Sequence, residues 1–352
     1  MRIKFRNAKL SAANLGRLVT INGIISEYQK QGYVLSLRQL YYQLVSRDII
    51  PNKQAEYAKL STLLKEGRMA GIVDWAAIED RTRQPYSPAA FDSPEEILDI
   101  AIRQFQLPRQ AGQSQYVEVW VEKDALSGVL KRVTAPYHVP ILVNKGYGSA
   151  SAMFDAYERF RKAIKAGQKC TILYLGDYDP SGIDMIRDVK TRVLEMLMND
   201  NYLCDTIAYE ALEKDEEEKE NTGYFLRHML EDEYNDYSDE NKDCLDEYGD
   251  FDVNKAWIKD QFGVRAIALT REQIDLYKPP PNPAKLTDPR SKKFIAEKGS
   301  TSWEVDALKP EVLNAILDTN IRGLIDIDKY KKQLELEKGH IKKLEGLTKY
   351  LK

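Results

Sequence analysis

The sequence has few of the residues that build metal centres and disulfide frameworks. Its 352 residues include three cysteines and three histidines, and both kinds are widely spaced along the chain. An odd number of scattered cysteines predicts neither a disulfide framework nor a zinc site. The scarcity of histidine argues against a histidine-based triad, which needs an imidazole beside the nucleophile. This usage is typical of a reducing compartment, and we expect a cytoplasmic protein.

Long apolar segments are missing as well. No stretch approaches the roughly 18 apolar residues of a membrane span, and the N-terminal MRIKFRNAKL lacks the apolar core of a signal peptide. We therefore expect no membrane partner. A glycine-rich phosphate loop and a recognisable ATPase segment are also missing, so no nucleotide cofactor is expected in this chain.

The chain as a whole has no excess of positive charge, although parts of it do. The net charge is −3, yet residues 205–252 hold 19 acidic residues and four Lys or Arg, a local net charge of −15. The other 304 residues therefore carry +12, and residues 1–83 carry +7. A basic N-terminal region permits a polyanionic partner. The acidic block is expected to be a solvated insertion.

Residues 1–83 predict a small helical domain. A helix over about 12–30 precedes a second helix that Ser36 caps, because residues 36–39 have the S-x-x-Q form of a capping box. A third helix covers about 52–69, and the segment GIVDWAAIEDRTR follows with extended character. Three helices and a small hairpin suggest a winged helix-turn-helix. A generic helical domain is the alternative.

The middle of the chain changes from a linker to alternating strands and helices. Residues 84–115 are predicted to be a linker with one helix, which Ser93 caps. Over residues 116–326, the apolar runs YVEVWV, PILVN, CTILYL and VRAIAL alternate with helical segments. This pattern predicts an α/β fold with a parallel, Rossmann-like sheet. Residues 327–352 predict a charged C-terminal helix.

Three carboxylates follow the predicted strands where parallel sheets bind their ligands. Glu122 follows YVEVWV, and Asp177 and Asp179 follow CTILYL. Three carboxylates repel one another unless a cation offsets their charge, and their oxygens favour Mg²⁺, for which Mn²⁺ could substitute. A pair of exposed acids in a turn is one alternative. A dehalogenase-type phosphatase is another, although it expects Thr or Val where this chain has Ser181.

A tyrosine and an arginine lie one turn apart on the helix that Ser36 caps. The apolar stripe of this helix includes Tyr41, which is therefore expected in the core. Tyr42 lies about 100° further round the helix and is expected to leave the stripe, with Arg38 on its own face. A guanidinium can bind phosphate and stabilise a phenolate, and a phenol with a pKa near ~10 needs such help as a nucleophile. An ordinary surface tyrosine pair is the alternative.

Several of these segments together resemble one known family. LRQLYY at 37–42 resembles the R-D-I-[FY]-Y motif of the topoisomerase VI A subunit and of its relative, the meiotic double-strand-break transesterase. The segments WVEKDA at 120–125, GYGSAS at 146–151 and GDYDPSGIDM at 176–185 resemble its Toprim segments in the same order. AIALTREQIDLY at 266–277 is similar to the segment that follows.

The resemblance implies a two-domain enzyme. A winged-helix (CAP-like) domain over 1–83 would precede a Toprim domain over 116–326, with the acidic insertion inside the latter. In the family two protomers act together, the tyrosine of one meeting the metal site of the other. A homodimer on double-stranded DNA, associated with the nucleoid, is therefore expected, with a separate ATPase subunit as an optional partner. The motif's Asp is Gln39 here and the chain is short, which indicates a compact member of the kind found in bacteria and mobile elements.

The resemblance also assigns chemistry. It implies Tyr42 as the nucleophile that forms a 5′-phosphotyrosyl bond with DNA, Arg38 as its partner, and Glu122, Asp177 and Asp179 as Mg²⁺ ligands. A Toprim nuclease that uses water and a non-catalytic DNA-binding module are the competing hypotheses. The residues expected to bind the DNA backbone are Lys53, Lys59, Arg68, Arg81, Arg83 and Lys145.

Overall fold

The structure is a computed structural model that describes residues 2–78, 88–144, 146–200, 203, 253–283 and 288–347. The acidic block over 205–252 lies outside the described residues. So do three of the candidate DNA-binding residues, Arg81, Arg83 and Lys145.

Serine side chains cap the first two N-terminal helices, and the third begins without a side-chain cap. Helix α1 covers Ala12–Lys30, α2 covers Leu37–Ser46 and α3 covers Gln54–Met69. Both halves of the capping box are formed, since the Ser36 hydroxyl accepts from the Gln39 N–H and the Gln39 side chain accepts from the Ser36 N–H. The predicted second helix is therefore confirmed.

The described part of the segment after α3 is a turn rather than the extended hairpin expected from the sequence. Trp75–Ala77 form a 3₁₀ turn whose N-terminus the Asp74 carboxylate caps. Arg68 donates to the carbonyls of Trp75 and Ile78 at 3.1 and 2.6 Å, and its guanidinium lies over the Trp75 ring. Ile78 also forms an isolated parallel β-bridge with Leu35, so the described segment pairs at one residue rather than along a strand.

The second part of the chain contains a four-stranded parallel sheet, which confirms the prediction from alternating strands and helices. The two central strands are buried along most of their length, which explains why their sequences are apolar without alternation. The strand order is β2-β1-β3-β4, in which β1 is Gln115–Val121, β2 Ile141–Val143, β3 Lys169–Leu175 and β4 Phe262–Ala268.

Helices cover both faces of this sheet. One face packs on α5 (Asp124–Thr134) and α11 (Pro310–Arg322). The other face packs on α6 (Ala150–Lys165), α7 (Pro180–Met198) and α8 (Val253–Gln261). None of the helices that the structure describes is long and apolar enough to cross a bilayer. The remaining elements are α4 (Pro94–Gln104), α9 (Arg271–Tyr277), β5 (Asn282–Pro283), α10 (Ser291–Lys298), β6 (Thr301–Ser302) and α12 (Ile327–Leu347).

A short turn belongs to two hydrophobic cores at once. Val305 packs in the core between the sheet and α11, whereas Ala307 packs among the buried residues of α1, α2 and α3. The three residues Glu304, Val305 and Asp306 at the start of this turn are called the acidic turn below. It fastens the N-terminal helices to the sheet through apolar burial, in addition to the ion pairs described in the next section.

The expected linker over 84–115 is packed in its last part. Arg109 Nη2 donates to Glu337 Oε1 of α12 at 2.7 Å, and the Leu107 N–H donates to Glu337 Oε2 at 2.6 Å. The two charged side chains are 6% and 10% exposed. The hydrogen bond from Arg109 lowers the pKa of Glu337. This buried pair holds the C-terminal helix against the segment that enters β1.

Replacing Glu337 by Gln is expected to destabilise the protein by about 3 kcal/mol, because a buried Arg109 would lose its counter-charge. Glu335→Gln is the matched control, since Glu335 is exposed on the same helix and pairs with Lys338. Urea unfolding should separate the two variants. Equal midpoints would show that the Arg109–Glu337 pair contributes no net stability.

Candidate active site

Glu122 and Asp177 meet at the carboxyl edge of the sheet because the two central strands end there side by side. The Glu122 N–H donates to the Leu175 carbonyl at 3.0 Å, and the Asp177 N–H donates to Glu122 Oε2 at 3.0 Å. Burial raises the pKa of both carboxyl groups, that of Asp177 to about 8. A neighbouring carboxylate adds to each shift: Asp179 for Glu122, and Glu122 for Asp177.

Asp179 lies at the same edge, but its carboxylate caps α7. It accepts a hydrogen bond from the Gly182 N–H at 2.7 Å. A Cβ at position 182 would lie 2.2 Å from the Asp177 carbonyl oxygen, so glycine is required for this close approach. The P-S-G sequence thus starts the helix directly against Asp177. Among the described residues, no three His, Cys, Asp or Glu side chains are arranged to hold a metal ion.

The Lys123 ammonium lies among the carboxylates. Its Nζ is 2.7 Å from Asp177 Oδ2, 2.7 Å from Glu304 Oε2 and 3.5 Å from Asp306 Oδ1. Burial would lower the pKa of Lys123, but Asp306, Asp177 and Glu304 outweigh this effect and raise it. A fixed cation therefore offsets part of the repulsion among these acids.

The acidic turn brings Arg38 of α2 to the same cluster. Arg38 Nε donates to Asp306 Oδ2 at 2.5 Å, and its Nη2 donates to Glu304 Oε2. The Val305 N–H donates to Asp177 Oδ1 at 2.9 Å. Three consecutive residues therefore join an arginine from the N-terminal helices to an aspartate at the sheet edge.

Glu304 lies between the two cations and binds both through one oxygen, Oε2. Burial would raise its pKa, but Lys123 and Arg38 outweigh burial and lower the pKa to about 2. Glu304 is therefore ionised at neutral pH, and its charge is matched by hydrogen bonds from both cations.

Tyr42 belongs to this cluster and is buried, so it is not part of an ordinary tyrosine pair at the helix surface. Its side chain is 5% exposed, and the Glu304 carboxylate lies nearby. The Arg38 guanidinium lies 5.5 Å from the centroid of its ring. The acidic turn covers this face of α2. Burial, together with the charges of Asp306 and Glu304, raises the pKa of Tyr42 well above its ordinary value.

Tyr41 is in the core, as the helix pattern predicts. Its hydroxyl donates to Asn52 Oδ1 at 3.0 Å and to the Lys53 carbonyl at 3.2 Å, and so holds the loop between α2 and α3. Asn52 in turn donates to Asn282 Oδ1 of β5 at 2.6 Å. The hydrogen bonds of Tyr41 therefore hold a loop in place, and its contacts differ from those of Tyr42.

The described candidate DNA-binding residues differ in their surroundings. Lys53 immediately precedes α3 and Lys59 lies on it, and both side chains are exposed. Lys59 pairs with Glu56 at 2.7 Å. Arg68 is half-buried, and burial lowers its pKa. Because Arg68 holds the turn at Trp75, Lys53 and Lys59 are better placed than Arg68 to meet a phosphate backbone.

Lys123, Glu304 and Asp306 are site residues that sequence reasoning missed. Lys123 stands in WVEKDA beside the predicted glutamate, and both acids stand in the segment WEVDAL at 303–308. A signal was present, because E-x-D repeats the spacing that singled out Asp177 and Asp179. The sequence does not indicate that this segment reaches Arg38, which is 266 residues away from Glu304.

Two carboxylates of the cluster offer the donor atoms that a divalent cation prefers. Glu122 and Asp177 have hard oxygen atoms, and burial is the main reason that their pKa values are raised. Asp179 would have to leave its capping position to join them. The cluster sets five carboxylates against two cations: Glu122, Asp177, Asp179, Glu304 and Asp306 against Arg38 and Lys123.

Comparisons of the chain with protein-family models, with curated proteins and with solved structures found no match. The function is therefore inferred from the residues of the site.

Mg²⁺ is expected to raise the thermal midpoint of the wild-type chain, because a ligand at about 100 times its Kd stabilises the folded state by about 2.7 kcal/mol. Asp177→Asn should lose this gain. Asp275→Asn, at an exposed aspartate of α9, should keep it. The measurement is a melting curve with and without Mg²⁺. An equal gain in the Asp177→Asn variant would place the cation elsewhere.

Proposed function

We propose that this chain is a DNA transesterase of the topoisomerase VI A type, with Tyr42 as its nucleophile. The supporting observation is that Arg38, whose guanidinium lies over the Tyr42 ring, belongs to one continuous polar network with the Glu122–Asp177 pair. Lys123 and the acidic turn connect them. The proposed architecture is a winged-helix domain over 1–83 and a Toprim domain over 116–326. The motif resemblance supports this finer description.

Each residue has a proposed role in cleavage. Arg38 would position the phosphodiester through its paired N–H groups. The Tyr42 oxygen would attack phosphorus, so that a Tyr–O–P bond forms and the P–O3′ bond breaks, leaving a 5′-phosphotyrosyl link. The phenol loses one proton and the departing 3′ oxygen takes one up. Mg²⁺, with Mn²⁺ as a substitute, held by Glu122 and Asp177 would neutralise charge developing on the phosphate.

The burial of Tyr42 favours one second candidate, a Toprim nuclease that uses water as its nucleophile. A phenol that is 5% exposed and whose pKa is raised is a poor nucleophile until its surroundings change. The transesterase hypothesis therefore requires the Tyr42 contacts to open when DNA binds. A non-catalytic DNA-binding module, the third hypothesis, requires no such change.

Tyr42→Phe is expected to abolish a covalent protein–DNA adduct while leaving DNA binding within about twofold, since the phenyl ring keeps its packing. Tyr41→Phe is the matched control at the adjacent position and should still form the adduct. The assay incubates supercoiled DNA with each variant and Mg²⁺, then applies detergent and protease. Cleavage that persists in Tyr42→Phe and disappears in Asp177→Ala would establish the nuclease instead. Binding without any cleavage in Mg²⁺ or Mn²⁺ would establish the non-catalytic module.

Double-stranded DNA and a second copy of the chain are the proposed partners. The resemblance implies that tyrosine and metal site come from different protomers. The contacts here run from Arg38, whose guanidinium lies over the Tyr42 ring, through Glu304 and Lys123 to Asp177 within one chain. These contacts support cleavage by groups of a single protomer.

A mixture of the Tyr42→Phe and Asp177→Ala chains is therefore expected to remain inactive, because neither protomer would hold a complete site. The measurement is nicking of supercoiled DNA after the two chains have been unfolded and refolded together. Recovered nicking would show that the site is assembled between protomers. Refolded wild-type chain is the control for the procedure.

A further inference from the structure

Two cations that would act on DNA converge on a single carboxylate. Glu304 Oε2 lies 2.7 Å from Lys123 Nζ and accepts a hydrogen bond from Arg38 Nη2. The Arg38 guanidinium also lies 5.5 Å from the centroid of the Tyr42 ring. Two cations directed at one oxyanion, beside the proposed nucleophile, form the arrangement that a phosphodiester needs when Tyr42 attacks it.

Glu304 and Asp306 hold Arg38 in different ways. The Asp306 side chain is fully buried and binds Arg38 Nε, whereas the Glu304 side chain is 24% exposed and binds Nη2. Arg38 itself is 40% exposed. If Glu304 moved away, Asp306 would still hold the guanidinium in place and leave Nη2 available to another anion.

The contacts of Glu304 are mainly ionic. Its Oε2 is bound by the two cations, and its Oε1 has a long contact of 3.5 Å with Asn282 Nδ2. A phosphodiester can replace a carboxylate on such donors, because both present oxygens of negative charge in the plane of a guanidinium. Asp177 keeps the Val305 N–H after such an exchange, so the sheet edge need not rearrange.

We propose that the Glu304 carboxylate occupies the subsite of the scissile phosphate, and that a DNA phosphodiester binds Arg38 and Lys123 by displacing it. The inference rests on the proposed function and deepens it. It adds Lys123 to the phosphate-binding residues and makes Glu304 an internal competitor of DNA. Displacement also brings the phosphodiester onto Arg38, whose guanidinium lies over the Tyr42 ring.

The proposal is tested without cleavage by measuring how tightly the full chain binds a labelled 20-base-pair duplex in EDTA. Fluorescence anisotropy gives the Kd. Glu304→Gln removes the competing charge and keeps the size of the side chain, so its Kd is expected to fall about three- to tenfold at one salt concentration. Glu297→Gln is the matched control at an exposed position of α10 and should change the Kd less than twofold. The gain should vanish when Arg38→Gln is combined with Glu304→Gln.

A Kd for Glu304→Gln that equals or exceeds that of Glu297→Gln would overturn the proposal. If Glu304→Gln fails to fold, as its melting curve would show, Glu304→Asp is the second test. The shorter side chain cannot reach both cations at once, and DNA should again bind more tightly than to the wild type. Wild-type binding without a gain in either variant overturns this inference alone. Failure of the wild type to bind the duplex overturns the proposed function as well.

Discussion

The ion pairs that the acidic turn makes with Arg38 and Lys123 hold the two parts of the molecule together. On one side of the turn lies α2 with Tyr42, and on the other lies the sheet edge with Asp177. Apolar burial of Val305 and Ala307 in two separate cores fixes the turn between them. Residues 304–307 make both the charged and the apolar contacts. A displacement of the turn would therefore affect both the site and the packing between the helices and the sheet.

The cluster is costly to fold. Burying several carboxylates near one another opposes ionisation, and the raised pKa values of Glu122 and Asp177 are the local consequence. Lys123 and Arg38 compensate in part through direct hydrogen bonds. A protein that needed only stability would place apolar residues of similar volume here. Several carboxylates beside two cations at the edge of a sheet are consistent with the proposed phosphoryl chemistry.

Tyr41 and Tyr42 illustrate what a helix pattern can and cannot predict about neighbouring residues. The periodicity of α2 places Tyr41 in the core, where its hydroxyl binds Asn52. It leaves Tyr42 outside the stripe, and within the isolated helical domain Tyr42 would face solvent. The acidic turn packs on that outer face, so a surface of α2 becomes an interior of the whole molecule.

Local sequence determined the helix starts at Ser36 and Ser93, the parallel sheet, and the meeting of Glu122 and Asp177 at its carboxyl edge. These features follow from capping, from the repeat of strand and helix, and from the common direction of parallel strands. Only the tertiary structure decided that Lys123, Glu304 and Asp306 surround Arg38, that Tyr42 is buried, and that Arg68 holds a turn. The physical reason is distance along the chain. Ion pairs between residues 266 positions apart depend on how two cores pack, and no local pattern encodes that packing.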